Sequence, residues 1–113
     1  MKDLKYLINY TMEVVESLNR EKRNGINKLV NKLNDCPEQW QRQTRKFIDV
    51  VRENIANRYD CIAELRELKS LTDNNFEEEA SKLLSEITSK LTKLDEKDSI
   101  ACDIYRAAMK EGL

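Results

Sequence analysis

The chain has 113 residues, of which 40% are hydrophobic and 36% charged, with 20 Lys and Arg against 21 Asp and Glu and no His. That length fits one domain spanning residues 1–113, and two Gly, one Pro and 6% aromatics are too few turn formers and large strand residues for a β-sandwich or barrel. The apolar residues recur with a period, which excludes a disordered chain, and no run of even ten of them occurs, which excludes a membrane span.

The start, MKDLKYLINYTMEVV, carries Asp3 and Glu13 and no small-residue cleavage site, so it does not read as a signal peptide and a cytoplasmic location is expected. Without His there is no common general base, no Zn–His site and no Ser–His or Cys–His nucleophile pair. Cys36, Cys61 and Cys102 show no CxxC spacing and read as three reduced thiols of a cytosolic protein. No cofactor or metal is expected.

In chain order, the first segment (3–34) carries an apolar stripe of Leu4, Leu7, Ile8, Val15, Leu18, Ile26, Leu29 and Leu33, at helical spacing. Gly25 interrupts it, but at 100° per residue Leu18 and Leu29 still share a face. The first clear break is Asn34-Asp35-Cys36-Pro37. Pro37 suits the first turn of a helix, and Asp35 with Glu38 three residues on reads as a capping box.

The second segment (38–71) carries Trp40, Phe47, Ile48, Val51, Ile55, Tyr59, Ile62 and Leu65. Arg58 falls on the same stripe and is expected to lie along the core with its head group outside. The second break is Thr72-Asp73-Asn74-Asn75, residues that favour turns and N-caps. Glu77, Glu78 and Glu79 follow, where a helix N-terminus favours negative charge.

The third segment (75–111) carries Phe76, Ala80, Leu83, Leu84, Ile87, Leu91, Leu94, Ala101, Tyr105, Ala108 and Met109, and keeps its phase across Asp95–Ser99. Glu16–Arg20, Glu38–Arg42, Glu78–Lys82 and Glu86–Lys90 are spaced for pairing within a helix. Three segments of nearly equal length, each roughly 50 Å long as a helix, predict an all-α, elongated, up-down-up antiparallel three-helix bundle. The alternative is a compact bundle of four or five shorter helices, broken near Gly25 and Asp95–Ser99.

Level counting in the elongated bundle brings Lys22, on the first stripe, beside Asp98, on the third. A semi-buried Lys22–Asp98 pair is therefore expected as a structural polar layer that fixes register. Charge is unevenly spread: residues 20–52 hold nine positives and four negatives, net +5, and residues 53–113 hold nine and fourteen, net −5. The rod is expected to be basic at its first turn and acidic at its second.

At the basic end Arg42, Arg45 and Lys46 flank Trp40, which offers cations for phosphates and an indole for stacking. Against that, Trp40 lies on the stripe and is expected to pack on third-helix residues such as Tyr105. Tyr6 and Tyr10 lie four apart and off the first stripe, and Ile100 and Ile104 lie off the third. Exposed residues of these types mark protein interfaces.

No Gly-rich phosphate loop, nucleophile elbow or HExxH occurs, so no enzymatic activity is expected. What remains is a non-enzymatic cytoplasmic protein–protein interaction module: an adaptor, inhibitor, chaperone or assembly factor. The alternatives are a nucleic-acid-binding accessory protein using the basic tip around residues 20–52, or a homo-oligomeric structural protein whose thin core a second copy completes.

Overall fold

A computed structural model describes residues 3–74 and 76–111. Three helices account for nearly all of them: α1 (Leu4–Lys32), α2 (Glu38–Asp73) and α3 (Glu77–Lys110), with one 3₁₀ turn, Leu33–Asp35, after α1. They lie antiparallel in a rod of 57 × 21 × 19 Å, as the elongated bundle predicts. α1 runs unbroken through Gly25 and α3 through Asp95–Ser99, so the compact four- or five-helix alternative does not form. Among the described residues no helix is long and apolar enough to cross a membrane.

The two breaks are built differently from the expectation. Asp35 ends the 3₁₀ turn instead of capping α2, and Pro37 occupies the N-cap. Its carbonyl accepts from the Trp40 and Gln41 N–H groups at 2.9 and 3.0 Å. The cause is local: the residue before a proline is pushed out of the helical region, and Cys36 is extended at φ −88°, ψ 147°, which carries Asp35 out of reach. At the second break Thr72 and Asp73 remain inside α2, and Phe76 is the N-cap of α3. The Thr72 hydroxyl and the Asn74 amide donate to the carbonyls of Lys69 and Ser70, so these side chains close a C-terminus where an N-cap is expected. Asn75 lies outside the described residues.

Burial is concentrated on α2, which packs against both neighbours while α1 and α3 scarcely meet. Its buried positions Thr44, Ile48, Val51, Ile55, Arg58, Ile62 and Leu65 alternate four and three apart, and a second line, Asn54, Cys61 and Leu68, is spaced by seven. A repeat of 3.5 residues is that of a left-handed coiled coil, and two lines on one helix are what a central element needs. On α3 the buried Ala80, Ile87, Leu91, Leu94, Asp98 and Ala108 fall on the same repeat.

The apolar core divides in two. The larger cluster, towards the acidic second turn, contains Ile8, Val15, Ile62, Leu65, Leu68, Ile87 and Leu91 among others. The smaller, towards the basic first turn, has only Ile26, Ile48, Val51 and Ile55 fully buried, with Leu29 and Phe47 half-covered. Ion pairs between helices reinforce the rod surface: Lys5 with Asp73, Glu16 with Arg66 at 3.8 Å, and Glu64 with Lys90 at 3.2 Å. The pairs expected within helices, Glu16–Arg20 and Glu86–Lys90, thus give way to pairs across them.

Candidate functional site

The polar layer expected at mid-rod exists, but with different members. Asp98 is buried, and its carboxylate accepts from the Asn54 amide at 2.7 Å and from Arg58 Nη2. The same Arg58 nitrogen reaches Asp95 at 2.8 Å. Lys22 is half-buried on α1 and is not the partner of Asp98. Arg58, expected to send its head group to water, is fully buried.

Both corrections have one cause. A long cationic side chain reaches water from the flank of an edge helix, and Lys22 has that route. Arg58 stands on the central helix between two neighbours, so its guanidinium is neutralised internally by the nearest carboxylate. Asn19, also buried, donates to the Ile55 carbonyl at 3.3 Å from the α1 side. The layer therefore spans all three helices and separates the two apolar clusters. Its polar atoms are not all partnered among the described residues: Arg58 Nε and Nη1 and Asn19 Oδ1 are buried without a hydrogen bond.

Beside this layer, on the basic side, a groove of about 390 Å³ opens between α2 and α3. Phe47 and Val50 wall it on α2, and Ile100, Ala101, Ile104 and Tyr105 on α3, with Lys46, Glu53 and Lys97 at its rim. The Phe47 and Tyr105 rings stack with centroids 4.7 Å apart, and the Tyr105 hydroxyl is 3.1 Å from that of Thr44. Tyr105 is thus engaged one and two turns beyond Trp40, whose indole nitrogen is buried without a partner. Ile100 and Ile104 are 60% and 61% exposed. Branched aliphatic side chains that open to water beside an aromatic floor are a costly surface for an isolated monomer.

The candidate surface residues fall into two places. Ile100, Ile104 and Lys46 come together in the groove. Arg42 and Arg45 are exposed on the same end of α2 but do not line it. Tyr6 and Tyr10 are exposed and stack on one another, with centroids 6.3 Å apart. They stand by the far end, where Lys5 meets Asp73, roughly 35 Å along α2 from Val50 by helical rise. Phe47, Val50, Asn54 and Tyr105 do not stand out in the sequence as members of a site. The signal that finds them is the second buried line on α2, which turns the helix so that Val50 borders α3.

Titratable chemistry is sparse. Cys61 is buried, and burial, with Glu64 as the next cause, pushes its thiol up from the ordinary 9.0, away from nucleophilic use. Cys36, Cys61 and Cys102 are free thiols. No group of three or more Cys, Asp or Glu among the described residues is placed to hold a metal ion. What the arrangement offers is a shaped apolar surface with charges at its edge. Comparison with known protein families, curated proteins and solved structures finds no match.

Proposed function

We propose that this chain is a non-enzymatic, cytoplasmic protein–protein interaction module of the adaptor, inhibitor, chaperone or assembly-factor kind, and that it docks another polypeptide in the groove between α2 and α3. The observation that carries this reading is the exposure of Ile100 and Ile104 beside Phe47, Val50 and Tyr105. Apolar side chains spaced three and four apart on two antiparallel helices form a face on which another polypeptide's helices lay their own apolar side chains. The Tyr6–Tyr10 pair is the weaker candidate, because its two rings stack on one another along a single helix.

The test is affinity capture from cells that express the chain, using three baits: wild type, Ile100→Glu/Ile104→Glu and Tyr6→Ala/Tyr10→Ala. Polypeptides retained by wild type and the tyrosine variant and lost by the isoleucine variant support the groove. Retention indifferent to the isoleucine substitutions refutes it.

A further inference from the structure

We infer that the polypeptide this groove accepts is a second copy of the chain, packed face to face and antiparallel, α2 on α2 and α3 on α3. The inference rests on the docking reading above and adds the identity of the occupant. It begins from register. Phe47 and Tyr105 stack, so they stand at one level. Three residues on, along antiparallel helices, Val50 is level with Cys102, midway between Ile100 and Ile104.

A two-fold axis crossing the rod at that level acts on both helices at once. On α3 it sets Ile100 against Ile104 of the second copy, and Ile104 against Ile100. On α2 it sets Lys46 within a residue of Glu53 of the second copy, and Glu53 near Lys46. One axis therefore joins apolar to apolar and cation to anion. Lys46, Val50 and Glu53 lie four and three apart on one exposed line, so all three reach that face. Such self-complementarity is the requirement of an isologous interface. A groove rimmed by one sign of charge would call instead for a partner of the opposite sign. Lys97, the other rim cation, would face Ala107 at the edge, with its ammonium in water.

Two further observations favour a second copy. The groove lies over the smaller apolar cluster, so a covering layer adds core where core is thin. The overlap is also long. With the axis at Val50, α2 residues 38–62 run alongside their counterparts for roughly 36 Å. Across a rod 19 Å wide that sets a ceiling of about 700 Å² on the footprint per copy, within the ~600–1,000 Å² per partner of specific interfaces.

The experiment is sedimentation equilibrium of the purified chain from micromolar to near-millimolar concentration, with helicity checked by circular dichroism. Wild type is expected to approach twice the 13.3 kDa chain mass. Ile104→Glu, at an exposed position, keeps its helicity and weakens association by about a hundredfold, since one glutamate enters each of the two symmetry-related apolar contacts. Lys46→Glu and Glu53→Lys each weaken it by about three- to tenfold, and the swap Lys46→Glu/Glu53→Lys restores it. A wild type monomeric throughout overturns the proposal, and so does a dimer indifferent to Ile104→Glu or one that the swap leaves weakened. A monomer that still captures a different polypeptide through Ile100 and Ile104 overturns the dimer alone. A monomer that captures nothing through them overturns the docking reading as well.

Discussion

Replacing Asp98 by Ala is the most direct probe of the polar layer. The Asp98 carboxylate is 3% exposed and the Arg58 side chain 1%, so solvent screens neither. The substitution leaves the guanidinium with only Asp95, itself 58% exposed, and strips the Asn54 amide of its acceptor. Breaking a buried pair in this way costs about 3–5 kcal/mol. A chain of this length has a total stability of about 6–17 kcal/mol, so the loss is a large fraction of it. An unfolding entropy of about 0.24 kcal/mol/K converts a 4 kcal/mol loss into about 17 °C in Tm. The triple change Arg58→Met/Asp98→Leu/Asn54→Leu removes the charges together with their desolvation and is expected to recover most of that loss. Lys22→Met serves as the control, because Lys22 does not engage Asp98, and is expected to change stability by less than about 0.5 kcal/mol. Urea unfolding followed by far-ultraviolet circular dichroism, at one protein concentration and with the m-value compared across variants, measures each difference. An Asp98→Ala variant within 1 kcal/mol of wild type, or a Lys22→Met variant as damaged as Asp98→Ala, would refute the assignment of the layer.

Two smaller predictions concern single positions. A Cβ added at Gly25 meets nothing within 4 Å and the site is mid-helix, so Gly25→Ala should stabilise the chain by up to about 1 kcal/mol and raise Tm by about 4 °C; calorimetry showing a loss would mean that α1 is broken there. Cys61 should react with a water-soluble disulfide reagent only as fast as the rod opens, while half-buried Cys36 and Cys102 react first, and equal rates at all three would contradict its burial. Because the Cys61 thiol is raised in the fold, its contribution to stability is complete below pH 9 and falls as pH climbs through the folded-state value.

The helices, their lengths and their order were legible because each stripe persists for some thirty residues, and neither Gly25 nor Asp95–Ser99 shifts its phase. The level of the polar layer was legible too, since the offset between α1 and α3 follows from the turn positions. Its membership was not. Choosing between Lys22 and Arg58 requires knowing which helix is central, and a stripe on each of three helices does not say so. The same ignorance hid Asn54, a polar residue on a second line that shows only once α2 is seen to pack on both sides, whereas Asn19 lies on the α1 stripe between Val15 and Ile26. Capping is not legible where backbone geometry overrides side-chain chemistry, as at Cys36–Pro37.

The layer and the groove are not separate features. Asn54 belongs to both: its amide donates to Asp98, and it forms part of the groove wall. An apolar contact between two long helices tolerates sliding and rotation, since one branched side chain substitutes for the next. A carboxylate that must meet an amide and a guanidinium at one level does not, and fixing alignment is what a polar position contributes in a coiled coil. The turns tie the helices at their ends, but mid-rod it is Asn54 and Arg58 that hold α3 at its level against α2. That level keeps Val50 opposite the midpoint of Ile100 and Ile104, the condition a two-fold interface needs. On this argument a core dense with isoleucine and leucine retains a buried arginine, with two of its nitrogens unpartnered, because the docking face is correctly formed only when the helices stand in one alignment.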